Sequence, residues 1–259
     1  MKFLIPSLIA AALILAPGAR AQMGSAAPKS EIVQAVEQAL ASPIRTVEER
    51  ARDSRGRKPA QTLEFFGLRS DMTVVEVMPG AGWYTKILGQ VLADKGQLHL
   101  FGGAARLAPR LKEWGLDKVR IAEGKFATKP SGQFGVFDAD AIEIPLQNVD
   151  MVLTFRNLHN MTPGARALLT KAVFTALKPG GVYGVVDHTR RHNDPTTSEN
   201  WRRIDPVIVI KEALDAGFEF EASSDLHFRP DDELRFDSQR PSLAGYSDRF
   251  TLKFRKPAR

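Results

Sequence analysis

Residues 74–88 read VVEVMPGAGWYTKIL, and the fold turns on this stretch. It opens on a β-branched apolar run (Val74, Val75, Val77), turns through Pro79-Gly80-Ala81-Gly82, and leaves with Trp83, Ile87, Leu88 and Val91 at helical spacing. The pattern predicts strand, turn and helix. A turn this tight needs backbone at positive φ and room for close approach, which glycine supplies, and the first amides of the following helix are free donors. The unit therefore reads as the first βα crossover of a nucleotide-type site. A dinucleotide fingerprint places a third glycine three residues after the second; that position is Thr85, which argues against NAD. The plain alternative is a glycine turn that holds nothing.

The whole chain has 259 residues, 43% apolar and 25% charged, which suits one α/β domain with a substantial core and excludes a disordered chain. The formal net charge is +6, and its basic residues are scattered apart from 50–58 and 253–259, with little aromatic interleaving. Both clusters read as solvated faces, so no nucleic-acid partner is expected. Residues 1–21 have the form of a secretory signal peptide: Lys2, an apolar run over 3–15, and Ala19-Arg20-Ala21 as an A-x-A site before Gln22. That run is short for a bilayer span. The expectation is a mature chain of residues 22–259, periplasmic or secreted, with no transmembrane anchor. With no cysteine, neither a lipoprotein anchor nor disulfides are available, so the apolar core must supply stability.

From about residue 30 to 67 the sequence predicts a helical cap. Ser30 is an N-cap for Ile32, Val33, Val36, Ala39 and Leu40 at helical spacing, and a second helix starts at Pro59 and stops at Gly67. Between them, Arg52, Asp53, Arg55 and Lys58 either line a site or form a salt-bridged surface loop. QLHLFGGA from Gln97 reads as a second strand, 104–115 as a helix, 118–122 as a strand, and 123–134 as a loop or short ribbon. His99 in the alternation reads as a sheet-face histidine. The near-continuous apolar run at 149–155 is a buried parallel strand. It delivers RNLHNM, residues 156–161, into the crevice beyond the carboxyl ends of the strands, where open α/β sheets bind ligands. A helix from Thr162-Pro163, then KPGG and the apolar strand VYGVVDH follow. Residues 190–205 read as a polar lid or substrate loop, 206–216 as a helix, FEFEASSDL as a sixth strand, 226–247 as a long irregular connection, and SDRFTLKFRKP as a final strand. No spacing fits a metal site.

Glu76 followed by Pro-Gly-x-Gly resembles motif I of the class I S-adenosylmethionine (SAM) methyltransferases, and the order of elements over about residues 60–190 follows that family. It is most similar to the predicted exported bacterial members. The resemblance implies a Rossmann-like, doubly wound α/β fold: a mostly parallel seven-stranded sheet with an antiparallel last strand. It implies SAM as cofactor, held at Pro79, Gly80, Gly82, Trp83 and Tyr84 with Glu76 behind the turn. Asp140, with Asp138 as the second match, would reach the adenine amino group, turn-forming aspartate being the alternative; Arg156 and Asn157 complete the set. The chain departs from the family where the second strand should end in a ribose-binding acid, because Phe101-Gly102-Gly103 stands there.

Leu158-His159 resembles the leucine-histidine pair of plant-type O-methyltransferases, although Asn160-Met161 departs from the Asp and aromatic residue that follow there. The resemblance implies that His159 removes the proton of an acceptor hydroxyl, with Asp187 and His188 orienting it or binding the acceptor. The alternative is that His159 only closes the strand by hydrogen bonding to backbone. The expected function is methyl transfer to a small-molecule acceptor. An exported binding protein, or a SAM-independent enzyme on the same fold, stays open, since fold does not determine function.

Overall fold

In the computed structural model, which describes residues 29–258, the run at Val74, Val75 and Val77 lies at the middle of the sheet. The leader read at residues 1–21 lies outside the described residues. Nine strands follow in chain order: β1 (Thr73–Val77), β2 (Gln97–Phe101), β3 (Arg120–Ile121), β4 (Lys125–Pro130), β5 (Phe137–Glu143), β6 (Val149–Phe155), β7 (Leu177–His188), β8 (Glu219–Ser224) and β9 (Arg249–Arg255), counted among the described residues. Seven form one sheet in the order β3-β2-β1-β6-β7-β9-β8. The first five of that order run parallel, and β9 enters antiparallel between β7 and β8. This is the mostly parallel sheet with an antiparallel late strand that the sequence predicts.

The helices are α1 (Glu31–Ala41), α2 (Val47–Arg52), α3 (Pro59–Phe66), α4 (Thr85–Val91), α5 (Ala108–Glu113), α6 (Pro163–Ala176) and α7 (Pro206–Asp215). Alternation along the strands sorts side chains to two faces. Val74, Leu98, Leu100 and Leu153 meet Leu63, Phe66, Ile87 and Leu111 from the helices on one side. Val75, Val152, Tyr183 and Val185 meet Leu169, Val173, Val209 and Phe218 on the other.

Local chemistry sets the ends of the cap. Ser30 accepts from the Val33 amide, Thr46 and Glu49 form a reciprocal capping box at α2, and α3 opens on Pro59 and closes on Gly67 at φ 78°. A π-helical turn, Asp53–Arg57, joins α2 to α3. The structure differs from the sequence reading in the middle of the chain. The helix expected over 104–115 is a 3₁₀ turn, Ala104–Leu107, followed by the shorter α5, and the strand at 118–122 keeps only the two residues of β3. Residues 125–130 form a ribbon with β5, antiparallel and separate from the main sheet.

The cap reaches the sheet through α3. Gly184 in β7 carries no β-carbon because one there would lie 2.7 Å from Leu153 and 3.0 Å from the Phe66 ring. Gly184→Val should therefore destabilise the fold by about 3 kcal/mol through overpacking. Urea unfolding of the two proteins measures the difference, with a matched m-value expected.

Candidate functional site

The carboxyl ends of β1, β6 and β7 open on one crevice, and its floor is the turn after β1. Met78 and Gly80 sit at φ 49° and 59°, left-handed values that a methionine adopts only where its surroundings force it. A β-carbon on Gly80 would meet nothing within 4 Å, so space lies open above it. Gly82 is different. Its φ is 83°, and its missing β-carbon is filled by the Trp114 ring at 2.8 Å. The two glycines thus differ: Gly80 faces space and Gly82 faces tryptophan.

Glu76 lies at the end of β1 and is only 2% exposed. Thr85, at the place of the third dinucleotide glycine, donates its hydroxyl to Glu76 Oε2 at 2.6 Å. Burial pushes the Glu76 carboxyl up to about 8, against the opposing effects of the Thr85 bond and the Arg57 charge. Above the turn is a cavity of about 200 Å³ bordered by Glu76, Pro79, Gly80, Trp83, Tyr84, Arg156 and Asn157. Most residues predicted for the cofactor are thus together. Tyr84 stacks on Phe155 with ring centroids 3.6 Å apart, and Trp83 lies under the Arg57 guanidinium at 4.2 Å.

Asn157 joins the two strand ends. Its amide nitrogen donates to the carbonyls of Val77 and Met78 at 3.0 and 3.3 Å and to Thr154 Oγ1 at 3.0 Å, so this group holds the turn. Asp187, fully buried at the end of β7, accepts from the amides of Leu158, His159 and His188 at 2.8, 3.3 and 2.7 Å. His159 Nδ1 lies 2.5 Å from Asp187 Oδ1 and donates to it, since a carboxylate already gathering amide protons acts as acceptor. The predicted trio is therefore assembled. Both histidines are buried, His188 at 3% and His159 at 8% exposure, with their rings 5.6 Å apart, and of the two His188 borders a cavity. His188 Nδ1 meets Ser247 Oγ at 3.0 Å, and burial, then the charges led by Arg249, hold its pKa well below the usual histidine value.

A second, larger cavity of about 460 Å³ adjoins the first, with Arg52, Arg57 and Arg156 on the wall of both. Of the charged residues read from the cap, Arg52 borders it, Asp53 is tied to Arg45 at 2.6 Å, Lys58 sits at φ 38°, and the side chain of Arg55 lies outside the described residues. Sequence reading missed Arg57 and Arg249. The first lay inside a charge run read as solvated, and the second sits in the alternation of a terminal strand. Only the meeting of β9 with the π-helical turn, where Arg249 Nη1 donates to the Gly56 carbonyl at 2.5 Å, brings them together.

The adenine expectation fares differently. Asp140 is exposed on the β4–β5 ribbon and pairs with Lys129, and Asp138 accepts from Thr162, the N-cap of α6, at 2.6 Å. Neither borders the cavities over the turn. At the end of β2, a β-carbon on Gly102 would lie 3.1 Å from Met78 and 3.2 Å from Phe126 of the ribbon.

No family model matches the chain, and no curated protein matches it. Its fold is nonetheless shared widely among solved structures. A SAM-dependent methyltransferase from Aquifex aeolicus aligns at TM-score 0.56 and 16% identity over 86% of this chain and 97% of its own. The [4+2]-cyclase SpnF aligns at 0.54 and 17%, covering 88% and 93%, and the glycopeptide N-methyltransferase MtfA at 0.51 and 14%, covering 78% and 96%. The fold is that of the class I SAM-dependent methyltransferases.

Glu76 makes the stability depend on pH. Its carboxyl binds a proton more tightly in the folded chain, at about 8, than at its ordinary 4.5. Its contribution is therefore fully present below pH 4.5 and is lost as pH rises through about 8. Glu76→Gln should gain on the wild type by up to about 1.4 kcal/mol per pH unit across that window and level off above it. Urea unfolding of both proteins at pH 5, 7 and 9 checks the slope, and parallel curves would contradict it.

Proposed function

We propose that the protein is a SAM-dependent methyltransferase acting on a small-molecule acceptor, with O-methylation as the form the site favours. The observation that carries the reading is Glu76: a buried acid with no cationic salt-bridge partner among the described residues, bordering a cavity above an open Gly80 turn. A ligand with an ammonium beside Glu76 and a carboxylate near Arg57 fits this pair of charges, and the amino-acid end of SAM has both groups. When bound, SAM supplies an electrophilic methyl group on a sulfonium. The chain's own part is to position donor and acceptor, which carries much of the rate enhancement of an in-line displacement. Asp187 fixes His159 and the 156–160 segment, and Asn157 fixes that segment to the turn. For an acceptor hydroxyl, the proton passes to His188, which borders the larger cavity, and His159 with Asp187 supports the wall behind it.

A second reading rests on the end of β2. The family's ribose-binding acid is replaced by Gly102, whose surroundings are filled by Met78 and Phe126. A SAM-independent reaction or a binding role on this fold fits that departure, and SpnF, a cyclase, shares the fold. Calorimetric titration separates the readings. SAM and S-adenosylhomocysteine should bind the wild type at micromolar concentrations, and Gly80→Val, strained at φ 59° and blocking the open space, should weaken both at least about 100-fold. A folded Gly80→Val protein with wild-type affinity would move the ligand elsewhere.

We also propose that the protein acts after export, on the strength of the leader at residues 1–21. Mass spectrometry of the protein from a fractionated native host should find the mature chain starting at Gln22 in the periplasm or medium. An intact Met1 in the cytosol would refute export.

A further inference from the structure

The larger cavity is lined by four arginines, Arg52, Arg57, Arg156 and Arg249, together with His188 and the polar Ser238 and Gln239, and by no carboxylate. Arg57, Arg156 and Arg249 form no salt bridge among the described residues, although Arg57 and Arg249 are only 8% and 6% exposed. Asp187, the acid whose charge acts on Arg156 and Arg249, is already engaged, because both its oxygens accept N–H groups from residues 158, 159 and 188. Arg249 uses one nitrogen on the Gly56 carbonyl and leaves Nε buried without a partner. The guanidinium of Arg57 has the face of Trp83 at 4.2 Å, which eases its burial without neutralising it. Burial and mutual repulsion weaken the hold of all three on their protons.

Elsewhere this chain pairs its buried arginines. Arg203 is bidentate to Asp232 at 2.9 Å, and Arg166 grips Glu212 at 2.7 Å. Two enclosed guanidiniums without acids, with the half-buried Arg156 beside them, therefore stand out as an excess of charge, since uncompensated buried charge is costly and planar guanidinium forks match oxyanions. Arg156 holds φ 64°, a left-handed backbone uncommon for a residue with a side chain, at the point where both cavities meet.

We propose that this cavity binds an oxyanion group, carboxylate or phosphate, carried by the methyl acceptor, with Arg156 and Arg249 as its anchors. The proposal rests on the methyltransferase reading for the word acceptor; the oxyanion site itself does not. It also deepens that reading. An oxyanion held at Arg156 and Arg249 would fix the orientation of the acceptor, which is the positioning that methyl transfer needs.

The test uses inorganic phosphate and malonate as probes, titrated calorimetrically at constant ionic strength with chloride as the balancing anion. Wild-type protein should bind one or both at millimolar concentrations. Arg156→Gln and Arg249→Gln, checked for folding by circular dichroism, should each weaken that binding at least tenfold. Arg156→Lys should recover part of it, and Arg120→Gln, exposed on β3 at the far edge of the sheet, should leave it unchanged. Prior saturation with S-adenosylhomocysteine should leave probe binding within about threefold. Absence of wild-type probe binding, or folded glutamine variants that bind as the wild type does, would overturn the proposal. Full competition between probe and S-adenosylhomocysteine would also overturn it, by assigning the arginines to the cofactor's own carboxylate. If the probes bind through these arginines and S-adenosylhomocysteine never binds, the oxyanion site stands and the methyltransferase reading fails.

Discussion

The carboxylate of Asp187 is the constraint on which the crevice depends. It ends β7, is fully buried, and collects four N–H groups from three residues, two of them on the segment that leaves β6. A buried carboxylate is tolerated only when its lone pairs are filled, and here the filling groups are the ones that bend residues 156–160 out of the strand direction. Asn157 carries the same tie to β1 through the Val77 and Met78 carbonyls. Two polar side chains thus fasten three strand ends together, and the strained Arg156 and Met78 backbones lie between those fasteners. Strain of this kind persists where surrounding bonds over-determine the local conformation.

The roof is held by contacts that start from the cap and from the far end of the chain. Trp83 Nε1 donates to the Glu49 carbonyl at 3.2 Å, and Lys86 pairs with the Glu49 carboxylate at 2.9 Å, largely out of solvent. From the other side, His227 reaches the Arg57 carbonyl at 3.0 Å and Thr251 at 2.6 Å, while Arg249 takes the Gly56 carbonyl. The irregular connection 226–247 is itself ordered by one buried pair: Arg203 with Asp232, whose second oxygen also accepts the Asp248 amide at 2.6 Å. The π-helical turn Asp53–Arg57 is therefore gripped at Asp53 by Arg45 and at Gly56 and Arg57 by Arg249 and His227 from the late chain. The Gly56 and Arg57 carbonyls serve the grip, which leaves the Arg57 side chain to the cavities.

Much of this was legible in the sequence, for physical reasons. The elements followed from periodicities, 2 for strands and 3.6 for helices, that are local properties, their arrangement in one sheet was implied by the resemblance to the methyltransferases, and the turn at Pro79 to Gly82 marks the ligand end of β1 without any long-range information. Arg156 and Asn157 could be read onto the crevice because they directly follow a buried strand, whereas Leu158 and His159 are buried and border neither cavity. What stayed hidden depends on contacts between distant residues. Gly82 looked like Gly80 until Trp114 was found against it. Asp140 looked like a cofactor ligand, but β4 pairs with β5 and carries it off the main sheet to Lys129. Arg57 and Arg249 look alike only once they share a cavity, and a periodicity of neighbouring residues holds no trace of that.

The crevice, taken as a whole, is electrically divided. At the β1 end is a single acid, Glu76, which its surroundings push toward the neutral form; across the cavity are arginines, which theirs push the same way. Glu76 and Arg57 attract each other, yet neither satisfies the other with a direct bond, and burial outweighs the attraction on both. Such an arrangement stores unfavourable desolvation at both ends of one site, and a bound molecule with matching charges relieves both. A ligand cationic at one end and anionic at the other completes the small cavity, whereas Arg156 and Arg249 remain for a second anionic group in the larger one. On the proposed function, charge complementarity would order two molecules along the crevice, with the open space over Gly80 and the wall at Arg156 fixing where their ends meet.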